Sequence, residues 1–244
     1  MGELIAVLSG KGGTGKTSVC AGIASALALQ GEKVLCIDCD VGLRNLDIAL
    51  GISDLGGISF LEVCRGEYTL DQALVHPEFE KLQFLTAPVG CAAGNVDQDA
   101  FSRMLEQARA NYAYVFLDAP AGVEAGFELA ARHADRILLV TGPDPAAVRD
   151  ASRAGEILEL MGKKNIRLVV NRINKKIAQA AKITVDDIMD SAGLPLLGVV
   201  PEDMAVTLAA VYKRPLIRYT HKGAAAACCR IARRIQGYHT PIFL

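Results

Sequence analysis

Ser9-Gly10-Lys11-Gly12-Gly13-Thr14-Gly15-Lys16-Thr17 follows the apolar run Leu4-Ile5-Ala6-Val7-Leu8 and precedes residues 18–30, which are rich in Ala, Ile and Leu. The stretch therefore lies between a buried strand and a helix. It fits G-x-x-x-x-G-K-[ST], the phosphate-binding loop of nucleoside triphosphatases. Glycines at 10, 12, 13 and 15 let the backbone curl with its N–H groups turned inward, and the positive end of the next helix adds to the cradle. In that chemistry Lys16 reaches the β- and γ-phosphates and the Thr17 hydroxyl ligates Mg²⁺. Thr14 and Ser18 complete the set of loop residues expected at a nucleoside triphosphate with Mg²⁺.

Two further stretches answer to this loop. Lys33-Val34-Leu35-Cys36-Ile37-Asp38 reads as a second buried strand, followed by Cys39-Asp40-Val41-Gly42-Leu43-Arg44-Asn45-Leu46-Asp47. Tyr112-Ala113-Tyr114-Val115-Phe116-Leu117-Asp118 reads as another, followed by Ala119-Pro120-Ala121-Gly122. Ligands of open parallel sheets bind beyond the carboxyl ends of the strands, so Asp38, Asp40 and Asp118 fall on the side of the phosphate loop.

The second lysine, Lys11, sharpens the reading. The loop resembles the deviant phosphate loop K-G-G-x-G-K-[TS] of the MinD/ParA family of ATPases. The stretch from Ile37 to Asp47 resembles that family's switch I, nearer its MinD branch than its ParA branch. Residues 118–122 resemble its Walker B and switch II segment. Ser152-Arg153 and Gly198-Val199-Val200-Pro201-Glu202-Asp203 extend the likeness over essentially the whole chain. The resemblance implies that Lys11 reaches the nucleotide of a partner subunit in an ATP-dependent homodimer. It implies that Asp40 positions the attacking water and that Asp38 contacts the metal's water shell or Lys16. Asp118 would hold Mg²⁺ and Gly122 would offer its N–H to the terminal phosphate. Asn171, Arg172, Pro201 and Glu202 would hold the purine.

It further implies an ATPase that is slow without an activating partner, acts in placing the division septum, and meets MinC-like and MinE-like regulators. The outward residues Arg149, Asp150, Arg153, Glu156 and Glu159 would lie on the partner-binding face, with an ordinary solvated face as the other reading. A ParA-like cargo-positioning ATPase that binds DNA nonspecifically, and a flagellar-number regulator, are the alternatives. Family members of the MinD branch continue into a short amphipathic membrane helix. Gly237-Tyr238-His239-Thr240-Pro241-Ile242-Phe243-Leu244 does not form one, so membrane attachment by that route is an open point.

Composition agrees with one α/β domain over residues 1–244. Hydrophobic residues make up 51% and charged residues 22%, a globular balance with no disordered tract. No apolar run reaches the roughly 18 residues a membrane span needs, and no leader pattern opens the chain, so a cytoplasmic place is expected, with peripheral attachment at the inner membrane face left open. Residues 163–244 hold 14 Lys/Arg against 5 Asp/Glu (+9), and residues 1–162 hold 12 against 22 (−10). A basic final third suits DNA, lipid or simply water.

The seven cysteines lack a disulfide framework. Cys36 and Cys39 have C-x-x-C spacing, but alternation along a strand sends them to opposite faces, so buried apolar thiols are expected there and at Cys228-Cys229.

Further elements follow from pattern. Helices are expected at residues 97–111, 124–133, 146–161, 184–192, 204–212 and 223–236, with two short ones within 58–76. Further strands are expected at 81–87, 136–141, 166–170 and 194–200, and residues 88–96 read as a loop. Strands alternating with helices give one doubly wound, mostly parallel sheet with helices on both faces.

Overall fold

The structure, a computed structural model, describes residues 1–41, 44–88 and 96–242. Gly42, Leu43, Cys91, most of the loop at 88–96, and Phe243-Leu244 lie outside the described residues.

Eight strands form one sheet in the order β3-β4-β2-β5-β1-β6-β7-β8. They are β1 (Glu3–Leu8), β2 (Val34–Asp38), β3 (Leu74–His76), β4 (Phe79–Leu85), β5 (Tyr114–Asp118), β6 (Arg136–Thr141), β7 (Ile166–Ile173) and β8 (Leu196–Pro201). All neighbours pair in parallel except β3, which lies antiparallel to β4 at the edge. The central strands are apolar on both faces because both are covered. In β1, Leu4, Ala6 and Leu8 enter one core while Ile5 and Val7 enter the other.

The first core is roofed by α3 (Phe60–Cys64), α4 (Gln98–Asn111), α5 (Ala125–His133), α6 (Pro145–Leu160) and α8 (Val185–Ala192). The second is roofed by α1 (Lys16–Leu29), α2 (Leu46–Leu50), α9 (Met204–Val211), α10 (Leu216–Tyr219) and α11 (Gly223–Ile235). Helix α1 is buried along most of its length, which explains its run of Ala, Val, Ile and Leu with no polar stripe. Asp97, Asp144, Thr184 and Asp203 cap the N-termini of α4, α6, α8 and α9 with their side chains.

Four expectations need correction. The second short helix within 58–76 is only a 3₁₀ turn, Leu70–Gln72, followed by strand β3. Three residues are too few for alternation to announce a strand. His76 pins this one from inside by hydrogen-bonding the Leu50 carbonyl at 2.8 Å. The strand expected to stop at Val170 runs on to Ile173. A helix, α7 (Lys175–Ala181), is present where no element was expected. It buries none of its residues, so it carries no apolar stripe to read. The four-residue α10 was likewise too short to detect.

Candidate active site

The phosphate loop leaves β1 at the carboxyl edge of the sheet and delivers the chain into α1. Gly13 and Gly15 take φ +81° and +83°, left-handed conformations that a side chain would strain. At Gly10 the demand is closeness: an added Cβ would lie 2.3 Å from the Asp150 carbonyl oxygen. The loop's start is thus pressed against the backbone of α6.

Lys16 turns inward and is buried, its Nζ donating to Asp118 Oδ1 at 2.7 Å and to Thr17 Oγ1 at 3.3 Å. Asp118 ends β5 and is 1% exposed. Burial raises its carboxyl above the usual range, and the Lys16 ammonium and Thr17 hydroxyl offset part of that rise. Parallel pairing sets Asp38 directly beside Asp118 at the end of β2. The Asp38 carboxylate accepts the backbone N–H of Asp40 at 2.9 Å and of Leu46 at 3.2 Å, so it shapes the turn into α2. Its carboxyl is pushed up to about 6, chiefly by burial and then by the neighbouring Asp118. The lysine contact considered for Asp38 belongs to Asp118 here. Asp40, on the loop after β2, is half-buried.

Lys11 points the other way. Its Nζ pairs with Asp144 Oδ1 at 3.2 Å, with both side chains partly exposed at the rim. The same Asp144 oxygen accepts Ala147 N–H at the start of α6. These contacts hold the Asp144 carboxyl below its usual range, the helix N–H more than Lys11. Asp144 was not singled out from sequence, although Asp before Pro145 is a legible helix start. Gly122 N–H, expected at a terminal phosphate, instead donates to the Ser9 carbonyl at 3.1 Å.

Beside the loop lies a cavity of about 470 Å³. Gly15, Ser18, Asn171, Arg172, Pro201 and Glu202 line it, bringing together all four residues expected at a base. Met204 and Cys228 line it too, and no motif marks them. Gly12 is exposed, and a Cβ added there would meet the Ala121 methyl at 3.9 Å, ordinary contact. Cys36 and Cys39 are free thiols in opposite cores, and burial pushes both up. The described residues contain no cluster of three or more His, Cys, Asp or Glu that would hold a metal without help.

The donor set fits Mg²⁺ brought by a nucleotide. One buried carboxylate and one hydroxyl leave room for phosphate oxygens and water, the usual divalent arrangement at phosphates. The Ser9 and Thr14 hydroxyls are buried with no hydrogen-bond partner among the described residues, a further sign that this end of the loop is built for polar company.

The CobQ/CobB/MinD/ParA nucleotide binding domain matches residues 5–216. A septum site-determining protein MinD from Synechocystis is 36% identical over 99% of this chain and 92% of its own. The chain belongs to the MinD family of septum site-determining ATPases. MinD from a MinC:MinD cell division complex of Aquifex aeolicus superposes with a TM-score of 0.91, at 33% identity and 99% of both chains. MinD of Pyrococcus horikoshii, complexed with Mg-ADP, superposes at 0.81, with 27% identity and 96% of both chains. MinD membership fixes the class of chemistry, nucleotide binding and ATP hydrolysis, and favours septum-site work over the DNA-positioning and flagellar alternatives. Among the described residues, no helix is long and apolar enough to cross a membrane.

Proposed function

We propose that this chain is a MinD-type switch in which ATP with Mg²⁺ drives two copies together and hydrolysis releases them. The observation that carries the reading is the division of labour between two lysines of one loop. Lys16 is buried against Asp118, while Lys11 stands at the rim on Asp144. That separation supports a role for Lys11 at the cradle of a second copy.

In this reading Gly10, Gly12, Gly13, Thr14, Gly15 and Ser18 surround the phosphates, and Lys16 shifts from Asp118 toward them. Thr17 and Asp118 hold Mg²⁺, with Asp38 beside them fixing the switch turn and the metal's water shell. When bound, the ion draws charge from the phosphates and orients them for in-line attack. Asp40 orients the attacking water, and Lys11 of the partner copy neutralises charge that develops on the phosphates. Asn171, Arg172, Pro201 and Glu202 hold the base. Loss of the terminal phosphate frees the segments after Asp38 and Asp118, an order–disorder switch.

Slow turnover without an activating partner follows if that partner completes the site. A MinC-like protein is the first partner proposed, supported by the MinC:MinD complex whose MinD this fold matches. A MinE-like activator is the second. The exposed side chains Arg149, Arg153, Glu156 and Glu159 of α6 are the proposed docking face. Solution mass with ADP and with ATP tests the switch: an ATP-specific doubling is expected, and one mass in both nucleotides would refute it.

A further inference from the structure

We infer that Asn171 is a positioning residue for the phosphate loop itself, and that its side-chain amide sets the loop's phosphate-facing N–H. The inference rests on the nucleotide-binding reading above and adds a second duty to a residue placed at the base.

The observation is a hydrogen bond between distant parts of the chain. Asn171 Nδ2 donates to the Thr14 carbonyl at 2.8 Å, and both residues are buried. Carbonyl oxygens accept, so the NH₂ end of the amide must face the loop and Oδ1 faces away from it. The peptide unit linking Thr14 to Gly15 is planar and trans, so its C=O and N–H point in opposite directions. Fixing the Thr14 carbonyl on Asn171 therefore turns the Gly15 N–H away from β7, into the curl that receives phosphate. Gly15 permits the approach: a Cβ there would fall 2.3 Å from Asn171 Nδ2.

The strand is shaped to deliver this side chain. The pairing of β7 with β8 shifts register between Val170 and Ile173. Within that break Arg172 takes φ +59°, a left-handed value that costs a non-glycine residue energy. Alternation from Val169 and Val170 already sends Asn171 to the face of α1 and the loop, and the bulge at Arg172 follows it, returning Ile173 to the opposite core and fixing the backbone just beyond Asn171. Because Asn171 and Arg172 also line the cavity beside the loop, one side chain joins the base end of the site to its phosphate end.

The test separates the two duties with a ligand that has no base. Binding of Mg²⁺-tripolyphosphate and of Mg²⁺-ATP is measured calorimetrically for wild type, Asn171→Asp, Arg172→Val and Arg172→Asn. Asn171→Asp keeps the shape but replaces the donor with an oxygen that repels the Thr14 carbonyl. It is expected to weaken tripolyphosphate about tenfold, as for a buried acceptor left unpaired. Protonation lets the introduced carboxyl group donate again, so the deficit relative to wild type should shrink from mildly alkaline to mildly acid pH. Arg172→Val, which resists a positive φ, should reproduce the loss, and Arg172→Asn, which tolerates it, should lose less.

If Asn171→Asp weakens ATP but leaves tripolyphosphate untouched, Asn171 serves the base alone and the inference is overturned. A wild type that binds ATP but not tripolyphosphate overturns it too, because the loop would then not be set without the base. A wild type that binds neither overturns the nucleotide reading on which it stands.

Discussion

Lys16 and Asp118 form a buried ion pair, 2.7 Å from Nζ to Oδ1, with side chains 7% and 1% exposed. Two charges out of water are tolerable only while each has the other. The pair therefore holds the end of β5 to the phosphate loop, each group offsetting the cost of burying the other.

Breaking that pair from one side should cost stability as well as binding. Lys16→Ala strands a buried carboxylate and is expected to lose about 3 to 5 kcal/mol in urea denaturation. The double variant Lys16→Ala/Asp118→Ala should recover much of that loss while still failing to bind nucleotide. Equal losses in the single and double variants would mean the pair contributes nothing to the fold.

Asp38 should make stability fall as pH rises. Its carboxyl ordinarily titrates near 3.8 and here stands at about 6, so the folded chain holds the proton more tightly than the unfolded one. The associated stability is fully present below about pH 4 and is lost as pH passes through about 6. Relative to Asp38→Asn, the wild type should therefore gain about 1 to 3 kcal/mol between pH 7 and pH 4. A flat difference across that window would contradict the burial argument.

Lys11 should matter to assembly and hardly to folding. Its bond to Asp144 is at the rim, and exposed pairs contribute about 0 to 1 kcal/mol. Lys11→Ala is expected to keep the wild-type denaturation midpoint within that margin, retain nucleotide, and lose ATP-dependent dimerisation. Normal dimers from this variant would remove Lys11 from the partner site.

Much of this was legible in the sequence because its physics is local. The loop Gly10–Lys16 announces itself by glycine spacing. Asp38 and Asp118 do so by ending apolar runs that must be buried strands. What could not be read depends on long-range placement. Nothing near Asn171 in sequence says that its amide reaches Thr14, and nothing near Lys11 points to Asp144. Helix α7 was missed because it buries nothing, and β3 because three residues at an edge are held mainly by what they meet, Leu50 and β4.

Gly10→Ala should show how tightly α6 is coupled to the loop. The new methyl would need to push the Asp150 backbone aside, since 2.3 Å is far inside contact distance. Overpacking of this kind costs about 1 to 3 kcal/mol. We expect a lower denaturation midpoint together with weaker nucleotide binding. A variant that is less stable yet binds ATP as well as wild type would show that α6 braces the fold without setting the loop.

The central claim is an ATP-driven dimer, and solution mass by light scattering tests it most directly. Under the role proposed for Asp40, Asp40→Ala is expected to slow hydrolysis so that the ATP form persists, and the same chain is measured with ADP. The account expects a monomer of 25.9 kDa with ADP and twice that mass with ATP. The same mass in both nucleotides, with binding of both verified, would contradict it.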